Sequence, residues 1–200
     1  MIVYVTIFLS LLLLVMAGLI WLRKAQYDAI HRNFLDMEDK YGGRVMRDGF
    51  AARPKFMGKF KDSTVSVSFS SEKKDKNQTR RYYISIFLQA HSNINFSILS
   101  MDWLSKDGQS KLSDRIVHSI FDHKYLIEVS NEPLMKKLNH NQIEHIVSHM
   151  HPFAYALVTK KGIILERLSQ NLVEDTAFNH LNELLEALYS LKKILPHQNV

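Results

Sequence analysis

The first 22 residues limit what this chain can become more than any other stretch. Met1–Leu22 reads MIVYVTIFLSLLLLVMAGLIWL, without a charged side chain and with only Thr6 and Ser10 bringing hydroxyls into the run. A helix rises 1.5 Å per residue, so about 20 residues cross a bilayer's hydrocarbon core. Thirteen Leu, Ile, Val and Phe residues lie between Ile2 and Ile20. Each favours insertion by about 0.3–0.6 kcal/mol, or about 4–8 kcal/mol together, which outweighs two hydroxyls. Tyr4 and Trp21 sit near the two ends, where amphipathic rings prefer the headgroup layer. Residues 1–24 therefore read as a single transmembrane anchor.

A cleaved export signal would begin with a basic stretch, carry a shorter apolar core and end in small residues. Here no Lys or Arg precedes the run, and after Val15-Met16-Ala17 it continues to Leu22. The expectation is an uncleaved signal-anchor. Arg23 and Lys24 come directly after it, with Arg32 beyond them. Because basic flanks stay on the cytoplasmic side, the N-terminus is expected outside and the C-terminal domain in the cytoplasm.

Beyond the anchor the chain is long enough for one domain with a sizeable core. With no cysteine in the chain, disulfides, iron–sulfur ligation and a Cys nucleophile are excluded. The net charge of +6 is concentrated near the anchor. Between Arg44 and Arg81 stand eleven basic residues against four acidic ones, an excess of seven, so the rest of the chain sums to −1. Arg23, Lys24, Lys73, Lys74, Arg80 and Arg81 are the candidate contacts to anionic lipid or to a partner, at about 1 kcal/mol per basic residue near a cytoplasmic leaflet.

Residues 25–43 read as an amphipathic juxtamembrane helix. Ile30, Phe34, Met37 and Tyr41 share one face, and Gly42-Gly43 ends the helix. Residues 44–200 then form the domain. Lys55–Phe60 and Thr64–Ser70 flank the turn Lys61-Asp62-Ser63, and Val65, Val67 and Phe69 alternate with serines. Ser71–Arg81 is a polar loop, and Tyr82–Ala90 and Ile94–Leu99 are further strands. Paired in sequence order, the four runs make an antiparallel meander. Trp103-Leu104 precedes a turn at Lys106–Gln109. Leu112–Phe121 reads as an ambiguous segment, with a short helix capped by Ser113 or Asp114 as one solution. Tyr125–Val129 is a strand, Pro133–Leu138 a helix, and Asn141 caps a helix over Gln142–Met150. Phe153–Thr159 and Ile163–Leu168 form the clearest hairpin, and Asp175 caps a long final helix that Pro196 stops. The class is α+β: an antiparallel sheet covered on one face by helices. Its expected core includes Val65, Val67, Phe69, Ile84, Ile86, Leu88, Leu126, Val129, Ile146, Phe153, Ile163, Leu181, Leu185 and Leu188.

Chemistry has little to stand on. His145 and His149 lie four apart on a helix, and His151 and Glu144 are near enough in sequence to join them as metal ligands. The order Glu-His-x-x-x-His is not the metalloprotease signature, however, and the pair projects away from Ile143, Ile146 and Val147. No Gly-x-Ser-x-Gly elbow or phosphate-binding glycine loop occurs. Lys73–Tyr83 mixes cations with aromatics, but Tyr82 and Tyr83 point to opposite faces of a strand, so nucleic acid is not the expected partner. Neither a cofactor nor a metal is expected. The sequence favours a non-enzymatic accessory or scaffold subunit that docks onto a larger membrane complex. A membrane-tethered, metal-dependent hydrolase using His145, His149 and His151 is the alternative.

Overall fold

The computed structural model describes residues 2–50, 52–72, 80–107, 116–129 and 132–195. Helix α1 (Ile2–Tyr41) runs without a break from the apolar stretch into the domain. Strands β1 (Arg44–Met46), β2 (Lys55–Phe60), β3 (Ser63–Glu72), β4 (Arg81–Gln89) and β5 (Phe96–Ser100) come next, and then helix α2 (Met101–Asp107). Strands β6 (Ile116–Ile120) and β7 (Tyr125–Val129) precede helices α3 (Glu132–Lys137) and α4 (His140–Met150). The chain closes with the hairpin β8 (Tyr155–Thr159) and β9 (Gly162–Ser169), then helices α5 (Leu172–Asp175) and α6 (Phe178–Ile194).

The nine strands among the described residues join one antiparallel sheet in the order β1-β2-β3-β4-β9-β8-β5-β7-β6. The expected α+β class is therefore found, but the meander stops at β4. The β8–β9 hairpin inserts between β4 and β5, with Ile86 opposite Leu165 and Ile98 opposite Ala156. Both neighbours of that hairpin are apolar on the covered face, so a sheet ordered this way buries more than a meander left with an apolar edge.

The strand period puts Val65, Val67, Phe69, Ile84, Ile86, Leu88, Ile163, Leu165, Ala156, Val158, Ile98 and Ile127 on one face, all buried. Helices α1, α4 and α6 supply the other half of the core through Ile30, Phe34, Met37, Ile143, Val147, Leu181, Leu185 and Leu188. Thirteen of the fourteen residues expected in the core are buried. Leu126 is the exception: Tyr125, Ile127 and Val129 point inward from β7, so Leu126 falls on the opposite face and is only half-buried.

Other local expectations are corrected. Residues 116–120 form an edge strand paired to β7, where Ile127 and Val129 offer a ready ladder, and not a helix. Met101–Asp107 is helical through Trp103 and Leu104. Asn139, not Asn141, caps α4, its side chain accepting from Gln142 N at 3.2 Å. Asn171 caps the short α5 instead, and α6 begins after Ala177 without a side-chain cap. Asp175 accepts from Ser169 Oγ at 2.7 Å. Pro196, Ser113 and Asp114 lie outside the described residues.

At the end of α1, Gly42 and Gly43 have φ of 67° and 106°. A side chain at Gly43 would come within 2.2 Å of Met57 O, so this turn admits glycine alone.

Candidate functional site

Helix α1 changes character along its length. From Val3 to Leu22 its large apolar side chains are exposed on every side, and it is long and apolar enough to cross a membrane. One turn later Tyr27, Ile30, Phe34 and Met37, spaced three, four and three apart, are buried in the domain. The ring of Tyr27 meets Phe69 edge-on with centroids 5.5 Å apart, and Tyr41 meets Phe60 at 5.1 Å. Tyr41 also hydrogen-bonds Asn182 of α6, and Asn33 Nδ2 donates to Val173 O at 2.7 Å beside α5.

The base of the helix carries the charge. Asp28 accepts from Lys24 at 2.7 Å and from Arg47 at 2.6 Å, and these bonds hold its carboxyl down at about 2. Arg23 donates to Tyr27 Oη at 3.1 Å. Arg53 lies over the Phe69 ring and donates to Ser71 Oγ at 2.7 Å. Because β3 ends and β4 begins beside Phe69, Arg81 stands at the same end of the sheet, opposite Glu72. Arg80 is exposed next to it. Of the six expected contact residues, Arg23, Lys24, Arg80 and Arg81 thus gather at the end of the domain from which the apolar helix leaves. Lys73 and Lys74 lie outside the described residues.

A cavity of about 620 Å³ occupies that end of the sheet. Its cause is a notch in the ladder. Strand β8 stops at Tyr155 opposite Glu166, whereas β9 continues three residues further, to Ser169. Beyond Tyr155, Ala154 bridges β9 and β5, its N donating to Glu166 O at 2.7 Å and its O accepting from Ser100 N at 2.8 Å. Side chains from both faces of the sheet therefore reach the opening. Arg167, Tyr125, His151 and Phe153 line it from the helix-covered side, and Tyr83, Trp103 and Leu168 from the other.

Its polar wall is specifically bonded. Phe153 N donates to Tyr125 Oη at 3.3 Å, and Tyr125 Oη lies 2.6 Å from His151 Nδ1. With Phe153 N–H taking an acceptor position on the hydroxyl, we assign the tyrosine proton to the bond with Nδ1. The imidazole proton is then on Nε2. Burial lowers the His151 pKa, and the charges of Lys124 and Arg167 lower it further, so the ring is neutral at pH 7. Burial raises the Tyr125 pKa. Arg167 is half-buried and among the described residues makes a single long hydrogen bond, to Met150 O at 3.5 Å.

The histidines expected to act together are separated by this arrangement. His145 and His149 sit edge-to-face on the exposed side of α4, with centroids 4.9 Å apart, and His149 Nδ1 lies 2.9 Å from His145 O. Glu144 turns away to accept from Phe121 N at 2.8 Å. His151 comes after the helix and is committed to Tyr125. No group of three or more His, Asp or Glu residues placed to hold a metal occurs among the described residues.

Local sequence pattern does not single out the notch residues. One signal is present: Arg167 stands in phase with Ile163 and Leu165, a charge on the buried face of a strand.

No protein-family model matches the chain, and no curated protein matches it in sequence. Among solved structures it is similar to the crystal structure of the mycobacterial trehalose monomycolate transport factor A, TtfA. The TM-score is 0.55 over 86% of this chain and 98% of that chain, at 10% sequence identity. A likeness at that identity is one of fold.

Proposed function

We propose that the protein is a single-pass, membrane-anchored accessory subunit that docks onto a larger membrane complex and presents its domain at the bilayer surface. One observation carries this reading: α1 is both the apolar segment and a buried element of the domain. Anchor and domain therefore move as one stiff body, and no flexible linker lets the domain swing away. The basic residues at the helix base face the headgroup region when the apolar segment is inserted, and anionic lipid or an acidic partner surface complements them. Arg23 and Lys24 favour an outside N-terminus and a cytoplasmic domain. The solved structure that shares the fold is that of a transport factor. Membrane transport complexes are accordingly the first class of partner to look for.

The test is purification of the intact chain from its native membrane in mild detergent, with mass spectrometry of what accompanies it. The reading expects a stoichiometric set of membrane proteins. That set is lost when six Gly/Ser residues are inserted after Lys24, and weakened when Lys73, Lys74, Arg80 and Arg81 are changed to Glu. A chain that purifies alone, or a partner set indifferent to both changes, contradicts it.

A further inference from the structure

We propose that the notch in the sheet is a binding site for an anionic amphiphile, its phosphate or carboxylate on Arg167 and its apolar part against Trp103, Tyr83 and Leu168. The proposal rests on the membrane placement argued above for where the ligand comes from, but not for the existence of the site.

Three observations converge. The first is Arg167. Half-buried guanidinium groups are costly unless paired, and no carboxylate pairs with this one among the described residues. Its planar fork fits phosphate or carboxylate with two parallel hydrogen bonds. The second is Tyr83, which is 7% exposed and whose hydroxyl has no hydrogen-bond partner among the described residues. Tyr83 lines the cavity, and a small shift of its side chain brings the unbonded hydroxyl to a bound molecule. The third is the composition of the walls. Trp103, Tyr83, Phe153 and the exposed Leu168 supply apolar surface, and about 620 Å³ is the size of a small-molecule site.

Acidic residues also line the cavity, and all three have partners within the chain. Asp175 accepts from Ser169 Oγ at 2.7 Å, and Glu174 accepts from Asn171 Nδ2 at 3.2 Å, both at the α5 side. Asp102 bears on the opposite wall, where its charge acts on Tyr125 and His151. Between them lie Arg167, which makes one long hydrogen bond among the described residues, and the Nε2–H of His151, which makes none there.

Access is set by where the notch lies. Arg81 and Leu168 stand at the end of the sheet beside Phe69 and Tyr27, and Asn33, which reaches α5, is ten residues or about 15 Å along the helix from Arg23. A lipid with a small anionic headgroup is within reach of such a site, and so is a soluble acid with an apolar portion.

The full-length chain carries two tryptophans, so Trp21→Phe leaves Trp103 in the cavity wall as the sole reporter. In phosphatidylcholine nanodiscs, dodecyl phosphate is expected to change its emission saturably. Arg167→Gln should weaken that binding at least tenfold, and Tyr83→Phe several-fold. Because Arg167→Gln removes a group from a packed wall, its fold is checked by circular dichroism. Leu168→Asp, an exposed change beside the cavity, should weaken binding independently. Inorganic phosphate distinguishes the sources. If it saturates the same Arg167-dependent response, the anion comes from water and membrane delivery is wrong, while the site stands. No saturable change, equal binding by Arg167→Gln, or an equal response to neutral dodecyl maltoside overturns the proposal. Failure to find a partner complex leaves these outcomes unaltered.

Discussion

Between Val3 and Leu22 helix α1 shows apolar side chains on every side, whereas between Tyr27 and Met37 it buries one stripe and leaves Arg32, Leu35 and Asp36 exposed. The backbone geometry is the same, so the difference lies in what surrounds each half. A helix apolar all round needs an apolar solvent, and one with a single stripe needs a protein face in water. The junction at Arg23, Lys24 and Asp28 is where one pattern gives way to the other. Because no glycine or proline interrupts it between Leu19 and Tyr41, any orientation that a bilayer imposed on the apolar half would pass directly to the domain.

Matched truncations separate the two halves most strongly. Phe34→Ala should cost about 3–5 kcal/mol of domain stability in the full-length chain, because it empties a fully buried site. Phe8→Ala should leave the unfolding midpoint of the domain unmoved in denaturant titrations in detergent. Charge divides the halves in the opposite sense. Leu12→Lys should lose about 2.5–3.5 kcal/mol of insertion free energy and shift the protein into the soluble fraction. Leu35→Lys, on the exposed side of the domain half, should remain in the membrane fraction. Equal effects at both positions of either pair would erase the distinction.

The two halves are legible in sequence because each is a local periodicity: an unbroken apolar run, then a stripe at three- and four-residue spacing. The hairpin strands and thirteen core residues are legible for the same reason. The strand order is not. Placing β8–β9 between β4 and β5 depends on pairings such as Ile84 with Arg167, more than eighty residues apart, which no local pattern encodes. Residues 116–120 are apolar enough for either helix or strand, and pairing with β7 decides. The notch is less legible still, since it exists because β9 runs three residues past the end of its pairing with β8.

Smaller effects are expected at the notch. Tyr125→Phe removes the bonds to His151 Nδ1 and Phe153 N and should cost about 1 kcal/mol in the same titrations. The pH dependence has a defined sign. Burial lowers the pKa of His151 and of His140, whose neighbour His118 stacks on it at 4.1 Å and lowers it further. Unfolded, both titrate near 6.5, so in the window below that value the unfolded state binds more protons. Stability should therefore be full above pH 6.5, fall as the pH drops through that window, and level off once the folded rings protonate. Melting temperatures at pH 7.5 and 5.5 measure the fall, and His140→Gln with His151→Gln should reduce it.

On the proposed reading one helix serves as both membrane anchor and domain core, and the absence of native cysteine allows a clean test of that dual role. Single cysteines at positions 12, 35 and 70 would be challenged in native membranes with a charged maleimide. Leu12→Cys should stay unlabelled until the membrane is dissolved, while Leu35→Cys and Ser70→Cys label readily once the face bearing the domain is exposed. Labelling of Leu12→Cys at the rate of Leu35→Cys would contradict the dual role, as would a mature chain from which position 12 has been removed.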